Sequence, residues 1–240
     1  MTRQSRHDTT HSHSGESKRH DTTSSADDRM TLQDIQEVYA RNAKWIDRLS
    51  WLDRCLTGRH RRCQFGRAAG RVLDVACGAG ANFRYLPDSS EIVGIDISEP
   101  LVEQARAELE TLGRSGTVEQ MDAQNLGFAD NSFETVISSF STCTFPDPKI
   151  ALREMARVCQ SDGRILLLEH GLSNNPLIGR YQEWRADAHY EQSGCRLTQE
   201  PVEVVRRAGL SVEEFETAQF GRIRRITCTG GDDNQQRTSQ

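Results

Sequence analysis

Val72-Leu73-Asp74-Val75-Ala76-Cys77-Gly78-Ala79-Gly80-Ala81-Asn82 is the stretch that decides the fold. Arg71 to Val75 is a short apolar run of strand length, and it enters the turn Cys77-Gly78-Ala79-Gly80 directly. A buried strand followed by a glycine turn and a helix start is the first unit of an open α/β sheet. Ligands of such sheets sit beyond the carboxyl ends of the strands, where the strand order reverses. Glycine lets backbone come close to a ligand there, and the N–H groups of the next helix favour an anionic group. A tight strand-to-helix connection needs the same glycines for local reasons, so Gly78 and Gly80 alone leave structure and function evenly matched.

Downstream the chain alternates. Phe83 to Leu86 continue as helix until Pro87, Glu91 to Asp96 read as a second strand, and Pro100 to Leu112 as a helix with proline in its first turn. Thr117 to Met121 and Thr135 to Phe140 are strands, Pro148 to Cys159 a helix, and Gly163 to His170 a fifth strand. Strands that are almost continuously apolar, alternating with helices, imply a parallel sheet covered on both faces. Gly171 to Cys195 is looser, with Leu177, Ile178, Tyr181, Trp184 and Tyr190. It reads either as a substrate cover or as an ordinary amphipathic helix. Thr198 to Ala208 forms a helix closed by Gly209, and Leu210 to Phe215 with Arg222 to Cys228 completes the sheet as an antiparallel pair. Upstream, Leu32, Ile35, Val38 and Tyr39, then Trp45, Ile46 and Leu49, recur at helical spacing to about Cys55.

The 240 residues suit one ordinary domain, expected over 31–230. The hydrophobic share is 35% and the mean hydropathy −0.66. Residues 1–30 account for part of this. They carry four of the seven histidines (His7, His11, His13, His20) and almost no large apolar side chain, so a disordered tail is expected there, and a polar tail over 231–240. His11 and His13 could hold a transition metal weakly, but no cysteine or third histidine stands beside them, and a solvated tail is the preferred reading. No apolar leader core and no run near the ~20 apolar residues of a membrane span occur. A cytoplasmic location is therefore expected, with peripheral membrane contact left open. Seven cysteines, scattered and never spaced CxxC, argue against a disulfide framework and a zinc site, so no metal is expected. The net charge of −5 disfavours nucleic acid as a partner, and Arg59-His60-Arg61-Arg62 reads as a solvated linker.

Three acids sharpen the site. Asp74 lies in the first strand, Asp96 ends the second, and Asp122 follows the third. A carboxylate at the second strand's end can accept from two ribose hydroxyls, and one at the third from an exocyclic amine. Asp74 within a buried strand needs loop amides or a ligand ammonium as partners. Each acid alone fits a cap or a loop; three at successive strand ends are harder to explain that way.

The ordered set Val72 to Gly80, Gly94-Ile95-Asp96-Ile97-Ser98, Asp122-Ala123-Gln124-Asn125-Leu126 and Asp130-Asn131-Ser132-Phe133-Glu134 resembles the Rossmann-fold S-adenosyl-L-methionine-dependent methyltransferases. The resemblance is to the ubiquinone/menaquinone-biosynthesis type and its relatives acting on lipids and small thiols, and it runs from about Val38 to Cys228. It implies an α/β fold: a doubly wound, mostly parallel seven-stranded sheet with a C-terminal antiparallel pair and an N-terminal helical lid. It implies that Asp74, Gly78 and Gly80 hold the methionine moiety, Asp96 the ribose, Ile97 one face of the adenine, and Asp122 and Ala123 the adenine edge. Ala76 and Ser139 join the same cofactor set. Tyr39 falls in Val38-Tyr39-Ala40-Arg41-Asn42-Ala43, similar to the family's Tyr-Asp-x-x-Ala lid segment, with Ala40 in place of the acid. Ala76 replaces the first glycine of the turn, which binding is expected to survive if its φ is negative.

Methyl transfer from a sulfonium is an in-line displacement in which alignment can supply ~7–11 kcal/mol, so neither a triad nor a metal is required. A hydroxyl or thiol acceptor also needs a base. His170, at the end of the fifth strand, is the catalytic candidate, with His189 and Asp187 behind it; a histidine held by loop backbone fits His170 equally. The acceptor is expected to be a small molecule, thiol, quinol or lipid. Glu169-His170 and Ser193 to Thr198 resemble the thiol/phospholipid branch. Two alternatives are a non-catalytic cofactor-binding protein on the same fold and a nucleotide-dependent oxidoreductase. The latter's G-x-G-x-x-G would read Ala76, Gly78, Ala81 here.

Overall fold

The computed structural model describes residues 30–230, apart from the side chains of residues 43–47, 49 and 50. The expected tails, with His11 and His13, lie outside the described residues, as do the Trp45, Ile46 and Leu49 side chains. In chain order the elements are α1 (Leu32–Phe65), β1 (Arg71–Val75), β2 (Glu91–Asp96), α2 (Glu99–Leu112), β3 (Gly116–Gln120), β4 (Phe133–Ser139), α3 (Pro148–Val158), β5 (Cys159–His170), α4 (Pro176–Ser193), α5 (Pro201–Arg207), β6 (Ser211–Ala218) and β7 (Ile223–Thr229). The sheet order is β3-β2-β1-β4-β5-β7-β6. It is parallel as far as β5, and β7 runs antiparallel to β5 and β6. The order reverses between β1 and β4, which opens a crevice at their carboxyl ends.

The period-two alternation of the strands divides the core into two layers. Leu73, Val75, Val93, Ile95, Val136, Ile165 and Leu167 pack with Leu152 and Met155 of α3 and Val205 of α5. Val72, Ile92, Val118, Ile137, Leu166 and Leu168 pack with Phe65 of α1 and Val102, Ala105 and Leu109 of α2. Asp74 shares its side of β1 with Val72, so it faces the α1 layer.

Two sequence expectations change, and one open reading is decided. The basic stretch Arg59–Arg62 is not a linker, because α1 continues through it to Phe65 and Arg61 is buried. Apolar periodicity lapses there because the inward side of the helix meets polar groups of the site instead of the core. Phe83 to Leu86 makes a single 3-10 turn, Phe83–Tyr85, before the backbone extends at Leu86 ahead of Pro87. The loose segment after Gly171 contains α4, capped by the Asn175 side chain on the Leu177 and Ile178 N–H groups and ended by Gly194 at φ +68.

α4 lies beside α1 and antiparallel to it. At one end the Met30 N–H donates to the Tyr190 hydroxyl (2.9 Å). At the other, the β6–β7 turn joins the pair: Gln219 Nε2 donates to the Leu56 carbonyl (3.1 Å), and the Phe220 carbonyl accepts from Ser173 Oγ (2.8 Å). Among the described residues, no helix is long and apolar enough to cross a membrane.

Candidate active site

A cavity of about 570 Å³ opens at the carboxyl ends of β1, β2 and β4, under α1. Of the residues expected at the cofactor, Tyr39, Ala76, Gly78, Asp96, Ile97, Asp122, Ala123 and Ser139 line it, and Asp74 and Gly80 do not. α1 contributes Leu32, Ile35, Tyr39, Asp53 and Arg61 to the wall, whereas nothing from α4 reaches it. The cover over the cavity is therefore α1, and the segment after Gly171 is not a cover.

Asp96 is almost buried at the end of β2. Its Oδ2 accepts from the Gly78 N–H (2.9 Å) and its Oδ1 from the Ser98 N–H (2.9 Å). Each oxygen keeps a second lone pair for another donor. Burial raises its pKa, opposed by those backbone N–H groups. Gly78 stands at φ +56 with open space where a Cβ would be, so backbone forms the wall there. At Gly80 a Cβ would lie 2.6 Å from the Phe83 ring, so this glycine serves packing. Ala76 has φ +55, which overturns the expected negative φ. An L-residue in the left-handed region costs roughly 1–2 kcal/mol. Phe140 follows β4 on the same cavity wall at φ +53. Such positions are held only where the surroundings over-determine them.

Asp74 sits one layer behind the wall, fully buried. Both its oxygens accept from Asn82 Nδ2 at 3.0 Å. Asn82 Oδ1 in turn accepts from Arg61 and from Ser139 Oγ, and Arg61 also donates to Ser139 Oγ (2.8 Å), Asp53 Oδ2 (3.1 Å) and Thr57 Oγ1 (3.0 Å). Burial pushes the Asp74 carboxyl up to about 7, against the pull of Asn82 and Arg61. Sequence reasoning missed Arg61 and Asn82. The available signal was the i,i+4 ladder Asp53–Thr57–Arg61–Phe65, which appears only once the helix is carried past Cys55.

The β4–β5 side differs. His170 does not line the cavity: its Nε2 stands 3.1 Å from Cys195 Sγ, which is 3.3 Å from Cys143 Sγ. The adjacent sulfurs cannot both ionise, so Cys143 is held protonated. Cys195, beside Cys143 and the His170 imidazole, is drawn below the usual thiol range. Asp187 and His189 lie on α4, away from the cavity wall. Glu169 is fully buried, and burial pushes it up to about 7. Its Oε1 accepts from Ser141 N and Oγ (3.4 Å each) and from Thr142 N (3.3 Å), and Ser141 lines the cavity.

Residues 73–167 match the model of the methyltransferase domain. The phosphatidylethanolamine N-methyltransferase of Cereibacter sphaeroides is 32% identical over 155 residues, covering 59% of this chain and 74% of that protein. The chain belongs to the methyltransferase-domain family. This methyltransferase uses S-adenosylmethionine as its cofactor. The family sets aside the oxidoreductase alternative. The ubiquinone/menaquinone biosynthesis C-methyltransferase UbiE of Bdellovibrio bacteriovorus is 29% identical over 178 residues, covering 69% of this methyltransferase and 76% of the relative. Among solved structures, the YcgJ protein from Bacillus subtilis superposes with a TM-score of 0.56 at 19% identity, over 73% of this chain and 97% of that one. The [4+2]-cyclase SpnF superposes with a TM-score of 0.63 at 18% identity, over 85% and 98%. At these identities the likeness is one of fold, and a cyclase among them shows why the site must be argued residue by residue.

Proposed function

We propose that this methyltransferase transfers the methyl group to a lipid-borne acceptor, an amphiphile with an amine headgroup or a quinol ring, while resting on a membrane surface. One observation carries the reading. Seven of the nine exposed large hydrophobics among the described residues belong to α1, α4 and the turn joining them: Trp51, Leu52, Leu56, Leu177, Tyr181, Trp184 and Phe220. Trp184 is 75% and Leu177 79% exposed, far from the burial of an ordinary amphipathic helix. Exposed apolar groups gathered on one shoulder mark an interaction surface, and tryptophan and tyrosine suit a membrane interface. This shoulder adjoins the cavity, since Asp53 and Arg54 of the same α1 turns line it. The relatives named for phosphatidylethanolamine and for ubiquinone/menaquinone biosynthesis agree with an acceptor of this kind.

On this reading Asp96 takes the ribose hydroxyls. Ala76 and Gly78, backed by Asp74, Asn82 and Arg61, face the methionine end, with Ser139 beside them. Ile97, Ala123 and Asp122 receive the adenine. Bound S-adenosylmethionine supplies a methyl group already activated by its sulfonium. The chain's part is to bind, orient and exclude water, with α1 as the cover and Tyr39 on its inner side. His170 faces Cys195, so we assign it no proton transfer from the acceptor. The test incubates the protein and methyl-labelled S-adenosylmethionine with vesicles containing phosphatidylethanolamine or a quinol, and separately with water-soluble thiols and amines. Labelled lipid or quinol is expected, and Leu177→Ser with Trp184→Ser should cut vesicle sedimentation at least about tenfold, since each buried apolar side chain is worth ~1.5–3 kcal/mol. Label confined to water-soluble acceptors, with no sedimentation of the parent protein, would overturn the proposal.

A further inference from the structure

Three segments far apart in the chain bring two sulfurs and an imidazole together. Cys143 is in the β4–α3 connection, Cys195 directly follows the left-handed Gly194 that ends α4, and His170 is the last residue of β5. The two Sγ atoms are 3.3 Å apart, His170 Nε2 is 3.1 Å from Cys195 Sγ, and the three donor atoms all lie within 4.8 Å of one another. Donors around a tetrahedral zinc ion, at Zn–S of ~2.3 Å and Zn–N of ~2.0–2.1 Å, stand about 3.5–3.8 Å apart. The Cys143–Cys195 and His170–Cys195 pairs fall a few tenths of an ångström short of that spacing, so small outward movements within these two pairs reach it. Cys143 is buried, and besides Cys195 its thiol meets the Phe140 carbonyl at 3.8 Å, a weak partner for a thiol inside a protein.

We propose that Cys143, Cys195 and His170 form a binding site for a thiophilic d10 cation of the Zn²⁺ class, apart from the cofactor cavity and independent of the acceptor. Soft sulfur donors with an imidazole select such an ion over magnesium or calcium. Binding requires both sulfurs as thiolates and the imidazole neutral, so any proton on Cys143, Cys195 or His170 is released to solvent as the ion enters. The ion would tie the β4–α3 connection, which supplies Ser141, Thr144 and Phe145 to the cavity wall, to the joint after α4. Arg196 already makes the same link by hydrogen bonds, its guanidinium donating to the carbonyls of Cys143 (3.2 Å), Phe145 (2.8 Å) and Pro146 (3.3 Å). The site escapes a reading of spacing because its donors are separated by 25 and 52 residues instead of two.

The test titrates the reduced full-length protein with Zn²⁺ alone, followed by metal analysis after dialysis, and then with Co²⁺, whose thiolate charge-transfer and d–d bands report sulfur ligands and four-coordination. One ion per chain and two sulfur ligands are expected. Cys143→Ser and Cys195→Ser should each weaken Zn²⁺ by more than the ~10–100-fold that loss of an outer-shell partner costs. His170→Gln should do the same while keeping both thiols, which guards against a cysteine variant that fails to fold. Cys55→Ser, an exposed cysteine on α1, should leave binding unchanged. Absence of stoichiometric Zn²⁺ in a reduced, folded protein would overturn the proposal. So would binding indifferent to all three ligand substitutions, or a mass loss of two hydrogens showing that the sulfurs instead form a disulfide in the protein as isolated.

Discussion

At the β1–β2–β3 half of the carboxyl edge, each site group stands at or just beyond the end of its own strand: Ala76 and Gly78 beyond Val75, Asp96 closing β2, Asp122 beyond Gln120. At the β4–β5 half, the groups that meet are Cys143 with Cys195 and Ser141 with Glu169, joined across 52 and 28 residues. The first half is made by local backbone geometry, strand into turn, and a short motif can encode it. The second exists only after α3, α4 and the antiparallel pair have packed. Residues of the first half should therefore govern cofactor binding, and those of the second should leave it alone.

Asp96→Ala should show the largest effect. Loss of charge-assisted hydrogen bonds on this scale costs about 1.5–3 kcal/mol in S-adenosylmethionine affinity by calorimetry. Cys143 does not line the cavity, so Cys143→Ser should change that affinity less than about twofold. Equal losses in the two variants would break the comparison.

Arg61→Met comes next. It removes donors to Asn82, Ser139 and Asp53 from a side chain that is 6% exposed. A stability loss of about 2 kcal/mol is expected in denaturant titration, within the range for hydrogen bonds to charged groups. A neutral result would show that the Arg61 hydrogen bonds add nothing to the other contacts that hold α1.

The Asp74 carboxyl, pushed up to about 7 by burial from an ordinary value of 3.8, gives a pH signature. Between those values the folded state keeps a proton that the unfolded state has released. The contribution of Asp74 to the stability of the cofactor-free protein is therefore full below about pH 4 and falls as pH rises toward 7. A ligand ammonium favours the carboxylate, so S-adenosylmethionine affinity should rise about tenfold between pH 6 and 8, from one group titrating near 7. Asp74→Asn should flatten that rise; a slope retained in the variant would assign it to another group.

The smallest effect concerns the turn itself. Ala76→Gly relieves an alanine at φ +55 and should stabilise the protein by about 1 kcal/mol. For a chain of this size that is roughly 2–4 °C in Tm by calorimetry. A lower Tm would show that the flexibility gained by the unfolded chain outweighs the strain removed.

How much could be read from residues alone divides along the same line. Asp96, Ile97, Asp122 and Ala123, which line the cavity, were legible because each stands at or just beyond the end of a strand that the alternation of elements marks. Gly80 was legible as a required glycine but not in its purpose, since the Phe83 ring that excludes a Cβ sits there by tertiary packing. The negative φ expected at Ala76 failed because the residue type favours it, whereas the turn demands the opposite sign. Arg61 went unread because an inward-facing polar helix surface carries no apolar signal, and Glu169 was read only as part of a motif because its partners Ser141 and Thr142 lie across the core.

The sequence by itself determined the order of the elements, the parallel sheet with its antiparallel edge, and the acids Asp96 and Asp122 at the cavity edge. These follow from periodicity, turn residues and the period-two pleat, all of which act over a few residues. Tertiary structure decided that the helical lid implied by the resemblance runs on through Arg61 to Phe65, that α4 turns Leu177, Tyr181 and Trp184 outward, and that Asp74 is matched to Arg61 through Asn82. It also decided that two cysteines and a histidine share one corner. Those outcomes depend on which surfaces meet when the layers close, and spacing along a chain does not record distances across a core.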